Sequence, residues 1–318
     1  LIMIPYTWKF VWSPLVDRYN LFHLGRRRSW MLISQIAVFF SIFLLGQFSP
    51  KTSLSVIAVV SVILSFASAT QDIVIDAYRR EILTDRELGL GTSLFITASR
   101  ASSLVPGGLS LVIAQFLSWS DVFFITAAFM LPALVVTFFI KEPETINAPR
   151  NLRQAIIEPF REFKDRRGLK SMFLIILFVF CYKLGDSMAT ALATPFYIDL
   201  HYDLLTIGLV AKNAGLWSML IGGILGGVIM LKTGINKALW YFGFGQLITI
   251  IGFVILAHEG IGSDTAPSVF LLAFVIIAEC LGAGLGTSAF VAFLSAQTNK
   301  TYAATQFALL TSLSAVPR

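Results

Sequence analysis

Eight ionisable residues stand within stretches that are otherwise apolar: Lys9, Asp72, Asp76, Arg100, Lys183, Asp186, Lys212 and Glu279. A charge in a bilayer interior is costly, so each of them calls for a partner or a water-filled cavity. Four are basic and four acidic, which leaves a self-neutralised interior as the plain alternative for every one. Asp72 and Asp76 are four apart and share one helix face, which Arg79 and Arg80 continue. At helical rise Asp72 is roughly 9 Å inside its apolar stretch and Asp76 only about 3 Å. Arg100 lies roughly 14 Å inside the next stretch, with Lys9 at comparable depth in the first. Lys183 and Asp186, three apart, are within reach of an intrahelical pair.

A carboxyl whose proton affinity is shifted by burial and by a neighbouring cation can load and release a proton. Asp186, Asp72 and Glu279 are the candidates for that task. Lys9, Arg100, Lys183 and Lys212 can hold an anion, an Arg doing so through two parallel hydrogen bonds. The amides of Gln71, Asn213 and Gln306 and the carboxylate of Asp72 can bind neutral or peptide groups beside them. Cys181 and Cys280 fall singly in apolar runs, and His23, His201 and His258 read as loop residues. Neither a metal site, a thiol pair nor a histidine relay is indicated, and no cofactor is expected.

The elements that must position these groups follow from composition. Of 318 residues 56% are hydrophobic and 13% charged, with a mean hydropathy of +0.79. Soluble domains carry near a quarter charged residues, so a soluble globular enzyme is excluded and an all-α, polytopic membrane protein is expected. Apolar runs give full spans at 30–48, 54–78, 91–116, 122–140, 171–197, 205–231, 238–257 and 268–296, and cut ones at 1–16 and 304–318. Eighteen Lys and Arg lie in loops 17–29, 79–90, 141–170, 232–237 and 297–303, against Lys51 alone on the opposite side. That asymmetry places the first set in the cytoplasm. The net charge of +6 is then an orientation signal, and no nucleic-acid partner is expected.

The connection 141–170 divides the chain into an N-terminal bundle, 1–140, and a C-terminal bundle, 171–318. Within it Leu152, Ile156, Ile157 and Phe160 recur at helical spacing among Arg153, Arg161 and Lys164, which predicts a short interfacial helix over 151–163 limited by Pro159. A weak repeat agrees with two halves: DRYNLFHLGRRRSW at 17–30 and LKTGINKALW at 231–240 each place a Gly before a basic residue that opens a span. Leu1 and Arg318 both adjoin apolar stretches, as expected of a segment of a longer chain.

Asp17-Arg18 followed by Gly25-Arg26-Arg27-Arg28 resembles the loop motif of the major facilitator superfamily, and Pro106-Gly107-Gly108 is similar to its fifth-helix motif. More specific blocks are Phe10-Val11-Trp12-Ser13-Pro14-Leu15-Val16-Asp17-Arg18-Tyr19, Ala67-Ser68-Ala69-Thr70-Gln71-Asp72-Ile73-Val74-Ile75-Asp76-Ala77, Tyr182-Lys183-Leu184-Gly185-Asp186, Gly286-Thr287-Ser288-Ala289-Phe290-Val291-Ala292 and Ala304-Thr305-Gln306-Phe307-Ala308-Leu309-Leu310. In this order they resemble the AmpG-type muropeptide permeases across essentially the whole chain.

The resemblance implies a two-bundle transporter of the bacterial inner membrane. It would be a monomer that moves an anionic glycopeptide with protons into the cytoplasm for cell-wall recycling. Asp76, Arg79 and Arg80 stand close enough to the loop of Asp17, Arg18, Gly25, Arg26, Arg27 and Arg28 for an ion-pair network that would act as a cytoplasmic gate, with plain solvation of the helix ends as the alternative. The related branch carrying acetyl-coenzyme A is the alternative substrate class. A faint likeness of Leu184-Gly185-Asp186 to a membrane protease motif is the remote enzymatic one.

Overall fold

A helix satisfies its backbone N–H and C=O groups within its own segment, the condition an apolar chain must meet in hydrocarbon. All regular structure among the described residues is helical. The computed structural model describes residues 2–144, 149, 151–261 and 265–315. Its helices are, in chain order, α1 Ile4–Trp8, α2 Ser13–Arg18, α3 Arg26–Leu45, α4 Leu54–Ile82, α5 Leu88–Ser102, α6 Ser110–Ile113, α7 Trp119–Ala128, α8 Leu131–Phe139, α9 Leu152–Arg167, α10 Leu169–Asp199, α11 Leu204–Thr206, α12 Gly215–Thr233, α13 Ile235–Gly260, α14 Val269–Gln297 and α15 Ala303–Ala315.

Seven helical runs among the described residues are long and apolar enough to cross a membrane: Arg26–Leu45, Leu54–Ile82, Leu88–Ile113, Trp119–Phe139, Leu204–Thr233, Ile235–Gly260 and Val269–Gln297. A shorter apolar stretch, Leu169–Tyr182, opens α10. Phe270 is 89% exposed and Phe139 83%, amid many other bare apolar side chains, a surface that suits lipid and not water.

The count of eight full spans and two cut ones is loose: seven of the eight full ones coincide with these runs and 171–197 falls within α10, while prolines divide the helix inside 1–16 and 122–140. The first expected span, 1–16, is α1, a 3-10 turn over Lys9–Val11 and α2, with prolines in the first turns of both helices. Lacking an N–H, proline suits a helix start and interrupts a helix already running. Expected span 122–140 likewise divides at Pro132 into α7 and α8. Span 91–116 passes through a π turn over Val105–Leu109, where the Leu109 N–H bonds the carbonyl of Leu104 at 2.9 Å. A second π segment, Ile207–Ala214, leads into α12. His258 lies in the last turn of α13, not in a loop.

The helix α9 also departs from expectation, running straight through Pro159 to Arg167. Asn151 caps its start by accepting from the Gln154 N–H at 2.8 Å, and Gly168, at φ 76°, ends it. Ala155, Pro159 and Phe163, four apart, form its buried stripe, so packing offsets the backbone bond that the proline removes.

Packing sorts the helices into two units that interleave along the chain. The first comprises Leu1–Ile82, Ser102–Phe180 and Thr298–Val316; the second comprises Leu83–Ala101 and Cys181–Gln297, together with the last two residues of the chain. In the first, Val16, Met31, Ile73, Val74 and Ala77 meet Ala303, Ala304 and Ala308, whose small side chains let α15 lie close on α2 and α4. In the second, α12 and α14 approach backbone to backbone. A Cβ on Gly222 would strike the Leu281 carbonyl, and one on Gly284 the Met219 carbonyl. Ser93 of α5 donates to the Gly223 carbonyl on the neighbouring face of α12.

Gly284→Ala is expected to destabilise the protein by about 1–3 kcal/mol, because neither helix can withdraw its backbone. Thermal unfolding in detergent would reveal it as a lowered midpoint, whereas Gly243→Ala, with open space at its Cβ, should leave the midpoint near its parent value.

Candidate functional site

The loop between α2 and α3 brings its charges inward. Arg27 is fully buried and donates from every guanidinium nitrogen. Its Nη2 reaches Asp17 Oδ1 at 2.8 Å and also Glu81 Oε1; its Nε meets both Glu81 oxygens at 3.1 Å, and its Nη1 the Val16 carbonyl at 3.1 Å. Arg26 adds Nη2 to Glu81 at 3.1 Å and Nη1 to the Asp17 carbonyl at 2.5 Å. Two cations and two carboxylates thus neutralise one another, with Arg27 and Asp17 fully buried at the centre.

Both Asp17 and Glu142 cap helices as well. Asp17 Oδ2 accepts from the N–H of Thr305 at 2.8 Å and its hydroxyl at 2.7 Å, and Oδ1 from the Ala304 N–H at 3.3 Å. A carboxylate at these first-turn amides of α15 also meets the positive end of the helix dipole. Glu142 accepts from the Arg27 and Arg28 N–H groups at 2.8 and 3.1 Å, capping α3. Gly25 makes that possible: its φ is 104°, and a Cβ there would overlap the Glu142 carboxyl. Arg28 closes the opposite kind of end, donating to the Thr137 and Phe138 carbonyls of α8 at 3.0 and 2.5 Å.

The end of α4 belongs to the same unit. Asp76 pairs with Arg79 at 2.9 Å, Arg79 lies 5.8 Å from the Phe307 ring centroid, and Arg80 donates to the Thr298 carbonyl at 3.1 Å. Lys300 reaches the Glu81 carbonyl at 3.2 Å. Arg18 differs from the other gate residues, its guanidinium standing 5.6 Å from the Tyr19 ring centroid. The carboxylates around Tyr302, those of Glu158, Glu162 and Asp17, add to burial in pushing that phenol's pKa up.

Gln306, expected among the substrate ligands, is engaged at both ends of its amide. Nε2 donates to Glu162 at 2.7 Å and the Pro159 carbonyl at 2.9 Å, and Oε1 accepts from the Asn299 N–H at 2.7 Å. It acts here as a strut between α15 and α9. Glu81, Glu142 and Glu162 are partners that the sequence alone does not reveal. The one signal for them is the excess of arginine at 26–28, which requires acids that the chain supplies from far away.

The deeper residues form two groups. In the first unit Lys9, in its 3-10 turn, is buried and lies within electrostatic reach of Asp72, as does Tyr6, whose hydroxyl bonds Ser68 Oγ at 2.7 Å. Gln71 is half-buried beside them. In the second unit Arg100 acts electrostatically on Cys280, whose thiol donates to Glu279 at 3.3 Å, and buried Tyr197 feels both. Lys9 and Asp72 thus belong to the first unit and Arg100, at comparable depth, to the second, because α5 packs with α12. Lys212 and Asn213 are exposed on the second π segment. The side chains of Lys183 and Asp186 lie outside the described residues.

Known proteins align with this picture over nearly the whole chain. A family model described as the Major Facilitator Superfamily matches residues 7–318. An anhydromuropeptide permease of Escherichia coli K12 is 38% identical over 100% of this chain, which spans only 64% of that relative's length. A putative transporter of Rickettsia felis, AmpG 4, is 31% identical over 98% of this chain and 76% of its own. The crystal structure of the human organic anion transporter MFSD10 (TETRAN) superposes with a TM-score of 0.72 over 99% of this chain and 74% of its own, at 15% identity, a likeness of fold alone.

Replacing Arg27 with Met would leave Asp17 and Glu81 buried without their cation, a loss of about 3–5 kcal/mol. Unfolding in detergent should show that loss, and the triple variant Asp17→Asn/Arg27→Met/Glu81→Gln should recover a large part of it. A single variant as stable as its parent would contradict the charge balance described above.

Proposed function

The chain belongs to the Major Facilitator Superfamily and, within it, to the AmpG-type permeases, and from that premise we propose that it carries anhydromuropeptides from periplasm to cytoplasm by proton-coupled alternating access. A member of this family is a multi-pass membrane transporter, not an enzyme, so the protease reading of Gly185-Asp186 falls. The observation that carries the proposal is the 38% identity to a permease named for that substrate over the whole of this chain.

The membrane is the bacterial inner membrane, with the loops around Arg26–Arg28, Arg79–Arg80 and 141–170 in the cytoplasm. The halves 1–140 and 171–318 rock about a ligand held near mid-membrane, 141–170 linking them. The Asp17–Arg27–Glu81 cluster supports this reading as a gate. Its cap on α15 consists of directional hydrogen bonds, which break together if that helix withdraws. Lys9 in the first group and Arg100 in the second are the cations offered to the substrate's carboxylates, and Gln71, Asp72, Lys183, Lys212 and Asn213 are further polar groups for it. Protons load on Asp72, Asp186 or Glu279. Each of the two groups described above sets a carboxyl among ionisable neighbours, the arrangement in which proton binding and anion binding influence one another.

Uptake of a labelled anhydromuropeptide into proteoliposomes is expected to rise with an inward proton gradient and to resist competition by acetyl-coenzyme A. Transport of the competitor without uptake of the muropeptide would overturn the substrate while leaving the fold. Asp72→Asn should abolish uptake with no loss of folded protein, and normal uptake by that variant would remove Asp72 from the site.

A further inference from the structure

The exposed side of α9 is chemically sorted in a way that its docking on the first unit does not require. Leu152, Ile156, Ile157 and Phe160 are 38–48% exposed. At about 100° per residue they cover an arc of roughly 140°. Arg153, Lys164 and Arg167 project within that same arc and Arg161 about 40° beyond its Ile157 edge, all four exposed. Glu158 and Asp165 lie on the opposite side of the helix, and Arg166, away from the arc, pairs with Glu162 at 2.8 Å. The buried stripe Ala155, Pro159 and Phe163 runs along the Leu152 edge of that arc and holds the helix against the protein.

A solvated helix would mix its charges around the exposed surface, and a helix packed on another protein would keep its central stripe free of arginine. Four cations interleaved with four bare apolar side chains, with the acids turned away, fit a surface that is oily just below a layer of negative charge. We propose that α9 is a docking helix for anionic phospholipid, its apolar residues at the acyl boundary and Arg153, Arg161, Lys164 and Arg167 on the headgroup phosphates. This rests on the transporter reading only in placing the helix at the cytoplasmic leaflet.

The docked helix bears on the gate through Glu162, which accepts from Gln306 Nε2 at 2.7 Å and from Asn299 Nδ2 at 2.9 Å. Both partners flank the first turn of α15, which Asp17 caps. Anionic lipid that holds α9 therefore also holds the cytoplasmic end of α15, and lipid charge becomes a determinant of how firmly the gate closes.

Hydrogen–deuterium exchange of the chain in nanodiscs tests this without substrate or gradient, so its outcome is independent of the permease assignment. Exchange over 152–167 should slow about fivefold or more when phosphatidylglycerol is added to phosphatidylcholine discs, and added salt should reverse the slowing. The variant Arg153→Gln/Arg161→Gln/Lys164→Gln/Arg167→Gln should lose the response, and Glu158→Gln/Asp165→Asn should keep it. Unchanged exchange over α4 and α14 verifies in the same data that each variant is folded. Equal exchange of the parent in both kinds of disc, a response insensitive to salt, or equal loss in both variants would overturn the proposal.

Discussion

A guanidinium with no access to water must find an acceptor for each of its hydrogens, and around Arg27 that requirement organises one whole end of the first unit. Its five N–H groups point in a fixed plane, so Asp17, Glu81 and the Val16 carbonyl must converge from α2 and α4 onto a residue of α3. Lysine, with three donors on one atom, could not hold the two carboxylates apart in that plane. The pairing brings in further elements at second hand. Asp17, fixed by Arg27, presents its other oxygen to α15; Glu142, drawn to the amides of α3, pins the end of α8 nearby.

Much of this was legible in the chain order, and the reason is locality. Asp17, Gly25 and Arg26–Arg28 stand within a dozen residues, so spacing alone reveals that a loop must bring acid and base together. Glu81 lies 54 residues from Arg27 and Thr305 lies 288 from Asp17, separations over which no periodicity survives. Span boundaries were readable wherever the helix ran on unbroken, as in α3 and α12. Inside two spans an interruption goes unseen, where Pro5, Pro14 and Pro132 restart a helix that a hydropathy window reads as continuous.

Depth within a span is a poor guide to a residue's neighbours for a related reason. Counting residues from a span's end locates Arg100 along its helix but says nothing of which neighbour that helix chooses. The choice is made by Ser93 and by Gly223 and Gly227, small residues that let α5 and α12 touch, and it sends Arg100 to the company of Glu279 and Cys280. Small residues carry little signal in a hydropathy profile, yet they decide which charges meet. Gln306 shows the converse: its block of sequence is distinctive, and its role as a strut depends on α9, a helix from another part of the chain.

The two π segments carry a different kind of information. A turn closed from i to i+5 holds one residue more than the helix around it. Every side chain beyond it is therefore rotated by about 100° relative to an uninterrupted helix. Residues on one stripe before Val105 or Ile207 are not on the same stripe after Leu109 or Ala214. Loss of a single residue there would leave a sound helix and an unchanged hydropathy, while turning all that follows onto the wrong neighbours. Length in these two stretches is thus under tighter constraint than side-chain identity, an unusual condition for a chain whose composition is otherwise so permissive.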